Sequence, residues 1–150
     1  MLKLSKLADY ATVLLTAMAR EPARVYNGQE LAARTHVPVP TAAKLLKKLA
    51  RAGLLESQRG AQGGYRLVRA PERITVAEVI RALEGPIAVT QCSGHVGHCG
   101  IESTCATRGN WRLINSAIRQ ALEAVTLAQM AVPTRPSEAP LRFHAALPGH

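Results

Sequence analysis

Three cysteines lie close together in the second half of this chain and are the residues best suited to chemistry. Cys92, Cys99 and Cys105 all fall in the segment QCSGHVGHCGIESTC, and the chain contains no other cysteine. An odd number of thiols cannot form a self-contained set of disulfides, and clustered thiols in a reducing compartment commonly bind zinc or iron–sulfur centres. The segment therefore predicts a metal or cluster site with sulfur ligands, and a cytoplasmic location.

The first half of the chain has the pattern of several short helices. Apolar residues at three- and four-residue intervals predict an amphipathic helix over residues 5–20, with Ser5 as its cap. A shorter helix is expected over 29–36 and is ended by the prolines of VPVP, after which Thr41 caps or opens a third helix. A short helix, a tight turn and a cationic second helix form the helix-turn-helix pattern, whose second helix lies in the DNA major groove.

A glycine-rich hairpin is expected directly after these helices. Two strand-like runs, 54–59 and 65–68, surround the segment GAQGG, with Arg59 at the base of the hairpin and Arg66 beyond its tip. The segment lacks the terminal Gly-Lys-Ser/Thr of a nucleotide-binding phosphate loop, so we interpret it as a DNA-binding wing. The predicted fold is mainly α, a winged helix-turn-helix with a small β-hairpin wing and a long C-terminal dimerisation helix.

The charge distribution favours the same partner. The formal net charge is +9, and the acidic residues between positions 34 and 73 are only Glu56 and Glu72. Such a basic stretch attracts the phosphates of double-stranded DNA, although a solvated cationic face is the alternative interpretation. No run approaches the roughly 20 apolar residues that span a bilayer, so we expect no membrane partner. We also expect no small-molecule substrate. The candidate DNA contacts are Thr41 and Lys44 at base edges, Arg59 in the wing, and Lys47, Lys48 and Arg66 at phosphates.

The second half of the chain contains a helix capped by Thr75, then the cysteines, then a long helix over residues 108–131. The apolar stripe of the long helix is too extensive for the core of a small protein, so it predicts a homodimer and hence a pseudo-palindromic operator. The alternative is a helix that folds back onto its own domain. The stripe consists of Trp111, Ile114, Ile118, Leu122 and Val125.

These patterns predict three regions. Residues 1–71 form the winged helix-turn-helix domain, and residues 72–131 form an effector and dimerisation region that contains the cysteine loop (residues 91–107) and the long helix (108–131). Residues 132–150 are rich in proline and lack periodicity, which is typical of a disordered tail.

Taken together, these motifs resemble the IscR-type bacterial regulators, a family of winged-helix dimers that carry an iron–sulfur cluster and include IscR, NsrR and RirA. The resemblance covers about residues 1–131 and rests on LKLSKLADYA, RGAQGGYRL, ITVAEVIRALEG and the three cysteines followed by a tryptophan-containing helix. Through its opening, the chain is most similar to the regulators of the SUF cluster-assembly operon. The resemblance implies that Cys92, Cys99 and Cys105 are the thiolate ligands of a cluster.

The fourth ligand is not fixed by this resemblance. IscR has a histidine ligand three residues after its last cysteine, but this chain has Arg108 there, which cannot ligate iron. In NsrR-like members an aspartate of the first helix reaches across from the other subunit, and Asp9 stands at the matching position. Asp9 is therefore the first choice, and His95, His98 or a solvent or small-thiol ligand are the alternatives. The aspartate favours a [4Fe–4S] centre, with [2Fe–2S] as the other option.

The resemblance thus implies a dimeric transcriptional regulator, a repressor, that senses cluster status, iron, redox state or nitric oxide and controls SUF-type cluster assembly genes. We expect no enzyme activity, because the chain offers no nucleophile, base and orienting group in one set. Two alternatives remain open. One is a winged-helix protein stabilised by zinc, with the three cysteines and one histidine as ligands, and the other is a metal-free thiol redox switch.

Overall fold

The computed structural model describes residues 3–94, 97 and 99–133. Seven helices and one β-hairpin are present in this part of the chain. In chain order they are α1 (Lys6–Ala19), α2 (Gly28–Thr35), α3 (Val39–Arg51), β1 (Leu55–Gln58), β2 (Gly64–Leu67), α4 (Val76–Glu84), α5 (Gln91–Gly94), α6 (Arg108–Glu123) and α7 (Leu127–Ala131), with a 3-10 turn at Pro71–Arg73 before α4. The predicted disordered tail from residue 134 onward lies outside the described residues.

Helix α1 begins as its sequence predicts. Ser5 is extended, and its hydroxyl accepts a hydrogen bond from the Ala8 N–H at 3.1 Å, which satisfies one of the free donors of the first turn. The apolar stripe of the helix includes Leu14 and Leu15, which are fully buried at the centre of the core. Helix α1 thus supplies the surface against which α2, α3, α4 and α7 pack.

Helices α2 and α3 form the predicted helix-turn-helix. Asn27 caps α2 by accepting from the Gln29 N–H at 2.8 Å, and His36 ends it in the left-handed conformation with φ 58°. Helix α3 begins at Val39 rather than at Thr41, because Pro40 in the first turn has no N–H to lose and its fixed φ suits a helix. The prediction that Thr41 caps α3 is therefore wrong, and Thr41 lies inside the first turn.

The wing is a two-stranded antiparallel hairpin with Leu55 opposite Leu67 and Gln58 opposite Gly64. Tyr26, in the loop between α1 and α2, forms an isolated antiparallel β-bridge with Tyr65, through backbone hydrogen bonds of 2.8 and 2.9 Å. This close approach requires glycine at position 64, where a Cβ atom would lie 2.2 Å from the Tyr26 carbonyl oxygen. The part of the wing nearest its turn is therefore fixed to the loop between α1 and α2.

Helix α4 begins with the predicted capping box. The Thr75 hydroxyl accepts from the Glu78 N–H, and the Glu78 carboxylate accepts from the Thr75 N–H at 2.9 Å. Arg69 also donates to this carboxylate at 2.7 Å. Burial raises the pKa of Glu78, but the hydrogen bonds from Thr75 and Arg69 outweigh burial, and the pKa lies below its usual value.

The long C-terminal helix predicted over 108–131 is divided in the structure. Helix α6 ends at Glu123, and α7 begins after Thr126, which forms a capping box of its own. The break arises because residues 125–127 pair with the segment before α4: the Val76 N–H donates to the Val125 carbonyl at 2.9 Å, and the Leu127 N–H donates to the Ile74 carbonyl at 2.9 Å. The prediction of one continuous helix is therefore wrong, and α7 folds back onto α1 of its own chain.

Candidate nucleic-acid interface and cysteine loop

The outer face of α3 presents the predicted cations. The opposite face of this helix is buried through Leu45, Leu46 and Leu49, so the remaining positions point away from the core. Lys44 and Lys47 are exposed on that outer face, and neither forms an ion pair within the described residues. This arrangement suits contact with an anionic surface such as the DNA backbone.

Two of the predicted DNA-binding cations contact their own chain instead. The Lys48 Nζ donates to the Leu83 carbonyl oxygen at 2.8 Å, at the C-terminal end of α4. Arg66 forms an ion pair with Glu56 on the opposite strand of the wing. Either cation reaches a phosphate only after leaving this partner.

Arg59 follows strand β1 and is exposed at the base of the wing tip. It forms no ion pair in the part of the chain that the structure describes, in contrast to Arg66. The wing therefore presents one uncommitted guanidinium beside its glycine turn.

The three cysteines are all reduced in the structure, but their surroundings differ. Cys92 is buried on the short helix α5, and its Sγ lies 3.3 Å from the Thr90 hydroxyl. Cys99 and Cys105 are half-buried. The Thr107 hydroxyl lies 3.4 Å from the Cys105 Sγ, and hydrogen bonds from Thr107 hold the pKa of the Cys105 thiol below its usual value.

The donor types of the cysteine loop fit a zinc or iron–sulfur site, since three thiols are the ligands that both prefer. Their positions do not yet form such a site. Within residues 3–94, 97 and 99–133, no group of three or more His, Cys, Asp or Glu side chains is placed to hold a metal ion. His95 and His98 lie outside the described residues.

Asp9 lies in the first turn of α1 and is exposed. It forms no ion pair with Lys6 or Arg20, the two partners available on its own helix. Its side chain lines a hollow of about 380 Å³ that also contains Arg34 and Met130. The Asp9 carboxylate is thus accessible from outside the chain.

The sequence interpretation missed Glu102, the most buried charged residue of the cysteine loop. Its side chain is 9% exposed, and it contacts Arg108 at 2.7 Å and Arg112 at 3.6 Å. The sequence does contain a signal for this ion pair. A carboxylate lies midway between Cys99 and Cys105, and two arginines follow it four residues apart on one helix.

Asn115 was also missed, although it joins the cysteine loop to α6. Its side-chain amide donates to the Ile87 carbonyl at 3.1 Å and accepts from the Val89 N–H at 3.1 Å. Asn115 itself is 6% exposed. The segment leading into Cys92 is therefore fixed to the helix that follows Cys105.

The predicted dimer stripe of α6 is exposed at its N-terminal end and partly covered further along. Trp111 and Ile114 are 38% and 43% exposed, which is high for large apolar residues. Ile118 and Leu122 are half-buried and line a groove of about 430 Å³. Val125 lies at the break between α6 and α7, where its carbonyl bonds to this chain's own α4.

The helix-turn-helix, the hairpin and the exposed cations of α3 define the class of winged-helix DNA-binding proteins. Within that class the chain belongs to the Rrf2 family, described as iron-dependent transcriptional regulators, whose sequence pattern matches residues 4–133. The chain is a transcriptional regulator and not an enzyme, as the sequence predicts. None of the helices within the described residues is long and apolar enough to cross a membrane.

Individual relatives agree with this assignment. The chain is 32% identical over 131 residues to the regulator IscR of Aliivibrio salmonicida, covering 85% of this chain and 77% of the relative. It is 30% identical over 138 residues to the repressor NsrR of Streptomyces coelicolor, covering 90% and 93%. Its fold is similar to that of CymR, the global cysteine regulator of B. subtilis, with a TM-score of 0.71, 30% identity, and coverage of 87% and 97%. The predicted winged helix-turn-helix with its β-hairpin wing and the IscR/NsrR-type resemblance are confirmed.

Proposed function

We propose that the chain is a dimeric repressor that binds an iron–sulfur cluster through Cys92, Cys99 and Cys105 and controls SUF-type cluster assembly genes. The observation that carries this proposal is the presence of three reduced thiols in one short loop of an iron-dependent regulator. The similarity to IscR and NsrR supports it further. When bound, the cluster supplies sensitivity to iron, oxygen and nitric oxide.

On DNA, α3 enters the major groove and the wing contacts the adjacent backbone. Thr41 and Lys44, in the first half of α3, are the proposed base-edge contacts, while Lys47 and Arg59 bind phosphates. Lys44, Lys47 and Arg59 are exposed and form no ion pair among the residues that the structure describes, which supports these roles. Lys48 and Arg66 are secondary phosphate contacts, because each must first leave its own partner.

A homodimer forms through α6. The exposed apolar surface at Trp111 and Ile114 supports an interface there, with Ile118 and Leu122 continuing it. A two-fold dimer pairs two recognition helices, so the operator is pseudo-palindromic.

For the fourth ligand we retain Asp9 of the partner subunit, with His95 and His98 as the alternatives. The accessibility of the Asp9 carboxylate and its lack of an ion pair within the described part of the chain support this choice. A carboxylate is a harder ligand than a thiolate and binds iron less firmly, which suits a sensor. We favour a [4Fe–4S] centre over [2Fe–2S].

A second candidate function is a metal-free thiol switch. The lowered pKa of Cys105 favours it, since a larger thiolate fraction makes that thiol more reactive toward oxidants. A zinc site made by the three thiols and one histidine is the remaining alternative.

The test is the iron and sulfide content of protein purified without oxygen, compared among Cys99→Ala, Asp9→Ala and the same-loop control Thr104→Ala. We expect Cys99→Ala to lose the cluster but remain dimeric, Asp9→Ala to lose it faster than the native chain, and Thr104→Ala to retain it. A fully loaded Cys99→Ala variant would refute the ligand assignment. If Asp9→Ala retains the cluster as well as the native chain does, the fourth ligand is His95 or His98 instead.

A further inference from the structure

Glu102 connects two parts of the cysteine loop that are separate along the chain. Its carboxylate accepts a hydrogen bond from the Gly97 N–H at 2.6 Å, before Cys99. The same carboxylate pairs with Arg108 Nη2 at 2.7 Å and lies 3.6 Å from Arg112 Nη2, both on α6 after Cys105. One side chain thus joins the middle of the loop to the helix that follows it.

The burial of Glu102 makes the loss of any one of these contacts costly. Its side chain is 9% exposed, and a carboxylate removed from water is unfavourable unless charged partners and hydrogen bonds replace the solvent. Here the Gly97 N–H donates a hydrogen bond to Oε2, while the guanidinium groups of Arg108 and Arg112 offset the charge at Oε1 without a well-aligned hydrogen bond. Exposed pairs elsewhere in the chain, such as Arg119 with Glu123, contribute much less because water screens them.

Arg108 occupies the position where the IscR resemblance places a histidine ligand. In this chain the Arg108 guanidinium is directed at Glu102, and the side chain is 32% exposed. At this position the chain therefore has a side chain that forms an ion pair inside the loop and cannot ligate iron.

We propose that Glu102 is a positioning residue, which Arg108 and Arg112 hold in place so that the segment before Cys99 stays close to the start of α6 before metal binds. Glu102 fixes the separation between the segment before Cys99 and the start of α6, and Arg108 supports the loop instead of ligating iron. The effect of this role on iron retention rests on the proposed cluster-binding function. The contacts that position the loop are present without metal.

The experiment measures two quantities on the full-length protein. The first is hydrogen exchange of the Gly97 amide by NMR in the metal-free protein, and the second is the rate of iron release to a chelator from anaerobically loaded protein. The variants are Glu102→Ala, Glu102→Gln, Arg108→Gln and the double variant Glu102→Gln/Arg108→Gln. Glu123→Gln is the control, since it also removes one carboxylate that pairs with an arginine of α6, but an exposed one.

In Glu102→Ala we expect Gly97 to exchange at least about tenfold faster, because a hydrogen bond to a charged acceptor is lost. Iron release should become faster by a similar factor in Glu102→Ala and in Arg108→Gln. The increase should be smaller in Glu102→Gln, because glutamine keeps an acceptor for the Gly97 N–H. The double variant should be no worse than its worse single parent, since both substitutions break one pair. Glu123→Gln should match the native chain.

Unchanged Gly97 exchange in Glu102→Ala would overturn the positioning role. Faster exchange with unchanged iron release would overturn its relevance to metal binding, and additive effects in the double variant would overturn the pairing with Arg108. If the native chain holds no cluster at all, the proposed function fails, while Gly97 exchange still decides whether Glu102 positions the loop.

Discussion

Replacing Asn115 with alanine should loosen the segment that leads into the cysteine loop. The substitution removes two hydrogen bonds, from the Asn115 amide to the Ile87 carbonyl and from the Val89 N–H to Asn115, both at 3.1 Å. Each such bond contributes about 1 kcal/mol, and the two backbone groups are left half-buried without partners. Alanine restores about 0.5 kcal/mol through its better helix propensity. We therefore expect a loss of about 1.5 kcal/mol in the free energy of unfolding.

Urea denaturation followed by circular dichroism measures this change, and Asn110→Ala is the matched control. Asn110 lies on the same helix but is exposed, so its replacement should be neutral or slightly stabilising. Hydrogen exchange of the Val89 amide should also become faster in Asn115→Ala only. If Asn115→Ala is as stable as Asn110→Ala, the amide does not hold the loop to α6 and this account of its anchoring is refuted.

Two further predictions concern the wing and the capping box. Arg59→Ala should weaken binding to a mixed-sequence DNA duplex and lower the salt dependence of binding by about one phosphate contact per protomer. Arg119→Ala, the control, should change neither quantity. If Arg59→Ala and the native chain bind equally at every salt concentration, the wing is not part of the interface. Glu78→Gln should be less stable than the native chain near neutral pH, where the lowered pKa of Glu78 contributes stability. That difference should shrink as the pH falls below the usual value of 4.5 and through the lowered folded-state pKa, and a pH-independent difference in unfolding free energy would contradict the assignment.

Local signals in the sequence were sufficient for most of the winged helix. Ser5 and the Thr75 capping box mark helix starts through contacts that span only three residues, so the sequence pattern alone indicates them. The glycines of the wing likewise mark a turn between two short strands. The fold was predictable because these elements are specified by neighbouring residues.

The features that sequence reasoning missed depend on contacts between distant residues. Helix α6 ends before α7 because the backbone at Val125 and Leu127 pairs with residues 74–76, and the only local signal for this break is the capping box that begins at Thr126. Lys48 matches the pattern of a DNA contact, yet its partner is a carbonyl 35 residues away. The burial of Glu102 depends on its contacts with two arginines of α6, and the sequence pattern of the loop alone does not show these contacts.

The most direct test of the central claim is an ultraviolet–visible spectrum, with iron and sulfide assays, of the native chain purified anaerobically. We predict visible charge-transfer bands and matched amounts of iron and sulfide, with a band shape that begins to separate [4Fe–4S] from [2Fe–2S]. A colourless protein containing stoichiometric zinc, or no metal, would contradict the cluster-sensing function. Its DNA-binding fold and family membership would remain.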